Sequence, residues 1–192
     1  MTTITFVRHG NTDFNNERRA QGHMNNPLNE TGRMQALAVA SRLAEEPWDL
    51  FISSDLLRAR ETAEAISAAV NMTPSFDVRL REIGRGQIEG TVEAERVEKW
   101  GKDWRKLDLG EESKQSVRAR GMSFVEEVAS QYRGKKLLVV SHGLLIGQTL
   151  KGLLQDEKTG DGLPNTSVTT IRLADECWEY ALYSCIRHLE GS

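Results

Sequence analysis

Hydrophobic and polar positions along the chain switch repeatedly between two periods. Thr3–Val7 is a short β-branched and aromatic run that ends near Gly10, which predicts a strand. Asn11–Glu30 is rich in Asn, contains Gly22 and Pro27, and predicts a long loop. Thr31–Glu46 places Met34, Leu37, Ala38, Ala40 and Leu43 at helical spacing and stops before Pro47. Leu50–Ser53 predicts a second strand, Arg58–Val70 a helix and Pro74–Val78 a third strand. From Val92 to about Tyr132 the chain is charged and helical in character, with Trp100 and Trp104 one turn apart and expected to pack against the body. This stretch lacks strands and its apolar stripe is thin, so it predicts a helical excursion rather than a second core. Leu137–Val140 is a continuous apolar strand, Leu144–Leu154 an apolar helix, and Thr166–Arg172 and Trp178–Tyr183 alternate as late strands. Strands alternating with helices predict an α/β fold with a mainly parallel sheet.

Composition narrows the partners. The 192 residues suit one domain, and the balance of 25 basic against 28 acidic side chains gives a net charge of −3. Such a charge excludes a bulk-basic nucleic-acid or membrane-surface binder. No apolar run approaches the roughly 18 residues of a membrane span, and the first residues lack the basic and apolar regions of a signal peptide. Two cysteines, Cys177 and Cys185, support neither a disulfide framework nor a tetrathiolate zinc site. These features together predict a cytoplasmic location.

One pattern occurs twice. Ile4–Val7 runs into Arg8-His9-Gly10, and Leu137–Val140 runs into Ser141-His142-Gly143. Ligands of open parallel sheets sit at the carboxyl ends of strands, so both histidines are expected at one sheet edge. Arg58 follows the strand Leu50–Ser53 and belongs at the same edge. The other histidines, His23 and His188, are expected to be solvated. The four show no zinc-hydrolase spacing. Arginine forks match phosphate oxygens, and a neutral His can attack phosphorus as a nucleophile. A general acid must then protonate the leaving alkoxide; Glu82 is the first candidate and Glu89 its rival.

These residues resemble the signature of the histidine phosphatase superfamily, the phosphoglycerate-mutase-like proteins, in its bacterial broad-specificity phosphatase type. Arg8-His9-Gly10-Asn11-Thr12 is similar to the first motif, with Asn15, Gln21 and Gly22 in its loop. Pro27–Gly32 resembles the helix entry, with Asn29 in the usual Thr place. Ser53–Ala63 resembles the second arginine motif, and Leu80-Arg81-Glu82 with Gly86, Glu89 and Gly90 the acid motif. Gly110–Ser113, Ser141-His142-Gly143 and Asn165-Thr166-Ser167 complete the series. The resemblance covers essentially the whole chain.

It implies a three-layer α/β/α sandwich with a short helical cap insertion at about 91–113. It implies His9 as nucleophile, phosphorylated on Nε2, with Arg8, Arg58 and His142 around the phosphoryl group. Asn15 would add a side-chain donor, Gln21 and Gly22 would contact substrate, and Gly143 would donate a backbone N–H. Glu82 would protonate the leaving oxygen and then take a proton from water. No metal and no other cofactor is implied. The partner would be a small phosphorylated metabolite, with no nucleic acid and no membrane; oligomeric state is left open. The insertion is short and mixed in charge, which favours a phosphatase over a cofactor-dependent phosphoglycerate mutase. A non-catalytic phosphate-binding protein would be expected to have lost His9, Arg8 or Glu82, and all three are present. Gly84–Gly90 lacks the spacing of a dinucleotide-binding loop.

Overall fold

The computed structural model describes residues 1–190. Its strands are β1 (Thr3–Arg8), β2 (Leu50–Ser53), β3 (Ser75–Phe76), β4 (Lys136–Ser141), β5 (Val168–Ala174) and β6 (Cys177–Cys185). Its helices are α1 (Asp13–Asn16), α2 (Glu30–Leu43), α3 (Leu57–Val70), α4 (Glu93–Trp100), α5 (Lys114–Gln131) and α6 (Gly143–Leu154). They build one six-stranded sheet in the order β3-β2-β4-β1-β5-β6. The first four strands in that order run parallel; β5 is antiparallel to β1, and β6 to β5. The mainly parallel α/β architecture is therefore as expected.

Why β4 reads as an unbroken apolar run follows from the layers. Leu137 and Val139 join a core with Phe124 and Val125 of α5 and Leu145, Ile146 and Leu150 of α6. Leu138 and Val140 point the other way, into a core with Val39 and Leu43 of α2 and Ala59, Ala63 and Ile66 of α3. A strand covered on both faces has no polar side to alternate with. Helix α5 thus belongs to a main layer, which corrects the expectation that residues 92–132 form one excursion. Its buried Val117, Phe124, Val125 and Val128 recur at helical spacing, but Glu and Arg between them thin the stripe.

The excursion proper is shorter. Helix α4 ends at Gly101, whose φ of 83° few other residues adopt, so Trp100 and Trp104 do not share a helix. Trp104 opens a separate 3-10 turn and packs with Ile88 and Leu109, while Trp100 lies against that small cluster.

One close approach fixes the loop after β1. The side chain of Asn29 accepts from the Gly32 N–H at 2.8 Å, so Asn caps α2 where the family motif has Thr. A Cβ on Gly32 would stand 2.0 Å from the Asn11 carbonyl oxygen. Gly32→Ala gains up to about 1 kcal/mol in helix propensity. Overpacking against backbone costs about 1–3 kcal/mol and displaces Asn11. A net loss of roughly 1–2 kcal/mol is expected on these figures, read as a lowered urea midpoint; an unchanged midpoint would contradict it.

Candidate active site

The two strand–His–Gly junctions meet. Strand register pairs Arg8 with Ser141, and the His9 N–H donates to the Ser141 carbonyl at 2.9 Å. The His9 and His142 rings lie 5.2 Å apart between centroids, both fully buried. Strand β2 ends beside them, and the Ser54 hydroxyl is 2.8 Å from His142 Nε2.

His9 Nδ1 lies 2.7 Å from the Gly10 carbonyl oxygen. A carbonyl can only accept, which places the proton on Nδ1 and leaves the Nε2 lone pair free. Burial, reinforced by Arg58 and Arg8, pushes the His9 pKa well below the usual imidazole value. Burial and Arg58 do the same to His142. Both rings are therefore neutral at pH 7.

Arg58 is fully buried in the first turn of α3. Its Nη2 donates to the Gly22 carbonyl at 2.9 Å, and its Nη1 to the Met24 carbonyl at 3.1 Å. Burial lowers its pKa to about 10, so it stays charged at neutral pH. Arg8 Nη1 donates to the Leu163 carbonyl. Gly143 contributes space: a Cβ there would come within 3.2 Å of Arg8 Nε. Three buried side-chain polar atoms among the described residues have no hydrogen-bond partner. They are Arg8 Nε, Arg58 Nε and His142 Nδ1.

Glu82 accepts from the Ile83 N–H at 3.0 Å, and from the Leu145 and Leu144 N–H groups at 3.2 and 3.3 Å in the first turn of α6. Three backbone donors fix its carboxylate. The rival Glu89 instead accepts from the His23 and Arg85 N–H groups at 2.9 and 3.1 Å and closes a loop. A cavity of about 450 Å³ has Glu82 on its wall and not Glu89. Arg8, His9, Asn15, Gln21, Gly22 and Arg58 also line it. His142 and Gly143 do not; they lie beyond the wall, against His9 and Arg8.

Asn15 Oδ1 accepts from the Thr12 N–H at 3.1 Å and from the Asn165 amide at 3.3 Å, which leaves its own NH₂ for the cavity. Gln21 accepts from the Asn26 amide at 2.6 Å. Gly22 has φ of 50°, and a Cβ there would overlap Glu89 Oε1.

Sequence reasoning assigned no role to several supports. Thr62 accepts from the Gly10 N–H and donates to the Arg58 carbonyl, joining the loop after His9 to α3. Arg120 donates to the Arg81 and Glu82 carbonyls and pairs with Glu112, which accepts from the Gly84 N–H. The Glu82 loop is clasped this way, although Arg120 lies 38 positions from Glu82. Trp104 packs and also lines the cavity; Trp100 only packs. Exposed His23 bonds the Glu82 carbonyl at 2.7 Å. His188 is half-buried between Arg42 and Thr166, which corrects the expectation of a solvated ring.

The chain matches the model of the histidine phosphatase superfamily (branch 1) over residues 4–186. It belongs to that family. A Bacillus subtilis protein named "Uncharacterized phosphatase PhoE" is 30% identical over 193 residues, covering 100% of this chain and 98% of that protein. The "Metal-independent phosphoserine phosphatase" of Arabidopsis thaliana is 32% identical over 202 residues, covering 100% of this chain and 84% of the relative. A mycobacterial glucosyl-3-phosphoglycerate phosphatase complexed with VO3 has a similar structure, with TM-score 0.84 and 28% identity. That match covers 94% of this chain and 98% of the other. Other relatives carry phosphoglycerate-mutase names. The resemblance read from the motifs and the phosphatase activity expected from it are both borne out. Among the described residues no helix is long and apolar enough to cross a membrane.

Proposed function

We propose that this histidine phosphatase hydrolyses small phosphomonoesters through a phosphohistidine on His9, with Glu82 as proton donor and acceptor. The observation that carries this is the set of orphan atoms: Arg8 Nε, Arg58 Nε and His142 Nδ1 are buried without partners. A buried donor left unmade costs about 1–3 kcal/mol, so a cavity wall with two such guanidiniums is built for an oxyanion that supplies the acceptors.

In the first step His9 Nε2 attacks phosphorus, and the bond to the leaving oxygen breaks as Glu82 passes it a proton. In the second step water attacks the phosphohistidine, Glu82 takes the water's proton, and His9 and inorganic phosphate are released. The Arg8 and Arg58 guanidiniums on the wall offset charge on the equatorial oxygens in both transition states, with His142 packed behind His9. Asn15, Gln21 and Gly22 on the wall hold the substrate, and Gly143 leaves room for Arg8 beside it. Because arginines supply the positive charge, no metal ion is needed, consistent with the name of the plant relative. Segment 91–113 acts as a cap that supplies Trp104 to the wall. Its shortness favours water entry and hydrolysis over the intermediate rebinding a mutase requires. Cytoplasmic function fits two cysteines that are both unpaired.

The test is turnover of p-nitrophenyl phosphate in EDTA, followed by Glu82→Gln on two leaving groups. Alkyl phosphates need the proton and are expected to slow by about 10²-fold or more, whereas p-nitrophenolate leaves unaided and slows much less. Equal losses would remove Glu82 from the role of acid. Fast isomerisation of 3-phosphoglycerate with a bisphosphate primer would reassign the protein as a mutase.

A further inference from the structure

Proton transfer needs the Glu82 carboxyl within about 2.6–3.2 Å of the leaving oxygen, so small shifts of its backbone matter. Yet that backbone belongs to no strand or helix. Glu82 follows the 3-10 turn Val78–Leu80 and its cap Arg81, and precedes Ile83 and Gly84. Leu80 and Ile83 are buried on either side of it. Among the described residues the carbonyls of Arg79, Arg81 and Glu82 accept from no backbone N–H. A loop with three such carbonyls has no ladder to fix its place.

Arg120 on α5 supplies the partners. Its Nη1 donates to the Arg79 and Arg81 carbonyls at 2.6 and 2.5 Å, and its Nη2 to the Glu82 carbonyl at 3.0 Å. Nε and Nη2 donate to the two Glu112 carboxylate oxygens at 2.9 and 3.0 Å. A guanidinium has five N–H groups, and all five are used here, three of them on this one segment. Arg118, also on α5, is spent instead on the side chains of Glu157 and Gln148. Glu112 grips the far side of the segment. Its carboxylate accepts from the Gly84 N–H at 3.1 Å, and its own N–H donates to the Gly84 carbonyl at 2.8 Å. The Arg120 and Glu112 side chains are only 19% and 20% exposed, and neither lines the cavity.

We infer that Arg120, locked by Glu112, is a positioning residue that holds the Glu82 carboxyl at the leaving oxygen and so serves proton transfer without touching substrate. The inference rests on the reading of Glu82 as proton donor and deepens it. Without Arg120 the Glu82 carbonyl keeps only the exposed ring of His23, and the Arg79 and Arg81 carbonyls turn to water. The carboxyl keeps its chemistry but spends less time within reach. His9, Arg8 and Arg58 are held by the Gly10, Leu163 and Gly22 carbonyls, so attack at phosphorus is spared.

The experiment measures kcat and KM for glycerol 3-phosphate, whose alkoxide needs the proton, and for p-nitrophenyl phosphate, whose phenolate does not. Arg120→Ala is expected to lower kcat for the alkyl ester about 10- to 100-fold, with KM little changed, and for the aryl ester by about threefold or less. Arg120→Lys keeps the charge but not the planar fork, and Glu112→Gln keeps the shape but not the charge, so each is expected to lose part of that effect. The same substitutions are then made in the Glu82→Gln protein. A residue that acts through Glu82 has little left to do there, so Arg120→Ala should cost less than about twofold more. An equal loss for the two esters, or an equal loss in the two backgrounds, would mark a general structural role and overturn the inference. Urea midpoints are read alongside; should Arg120→Ala not fold, Arg120→Lys and Glu112→Gln decide by the same outcomes. If Glu82→Gln discriminates between the esters and the Arg120 variants do not, the positioning role alone falls. If Glu82→Gln slows both esters equally, the reading of Glu82 falls and the inference with it.

Discussion

His9→Ala is expected to lower turnover of every phosphomonoester by about 10⁴-fold or more, the scale on which enzymes depend on a covalent nucleophile. Three features fit His9 for the role proposed for it. The Gly10 carbonyl holds the Nδ1 proton, the strand-end backbone is pinned to Ser141, and burial beside two guanidiniums keeps the ring neutral. No other described group is set to replace it: the His142 ring uses Nε2 on Ser54 and lies off the cavity wall. Arg8 and Arg58 remain, so the variant keeps its affinity for inorganic phosphate while losing turnover. Rapid quench with ³²P-labelled substrate should find acid-labile label on the wild-type protein and none on the variant. Wild-type rates in His9→Ala would end the assignment.

Unfolding in phosphate-free buffer is expected to become steeply easier below pH 6.5. In the unfolded chain both active-site imidazoles bind protons near pH 6.5. In the folded protein they resist protonation far below that, chiefly through burial. The unfolded state therefore holds the extra protons, and stability present above pH 6.5 is lost as pH falls toward the folded-state values. Each ring contributes up to about 1.4 kcal/mol per pH unit between its unfolded and its folded titration. His188, lowered to about 4 by burial and Arg42, acts in the same direction. Urea midpoints measured from pH 7.5 to 5 should fall accordingly, and His9→Ala should flatten the dependence by about half. Midpoints that hold constant over this range would contradict the prediction. Inorganic phosphate should shift the curve upward by binding the folded state alone.

The site was legible because its chemistry sits where strands stop. Strand β2 falls on Leu50–Ser53 as expected, and the His9 and His142 junctions are marked by an apolar run that breaks into His–Gly. Glu82 leads Glu89 already in the sequence; the loop's path adds that the Glu82 carboxylate reaches α6 while the Glu89 carboxylate binds the His23 N–H beside Gly22. The reversal of β5 and β6 was hidden, since alternation reveals a strand but not its direction. Strand β3 shrinks to two exposed residues, because Pro74 before it and the turn at Asp77 after it leave little length. Arg120 gave no local signal; its value lies in carbonyls presented by a loop about forty positions away.

Central placement of β1 has a consequence for how activity appears during folding. This strand is made first, yet its neighbours are β4 and β5, which begin at Lys136 and Val168. The Thr166 N–H also closes on the Arg8 carbonyl from that late segment. A nascent chain that has emerged only as far as α5 has His9 and Arg58 but no edge to hold them together. Contacts so distant in sequence form slowly, because the intervening loop must close before they contribute. Recovery of phosphatase activity after denaturant dilution thus reports the docking of the central strands, and should lag the helical signal from α2 and α3.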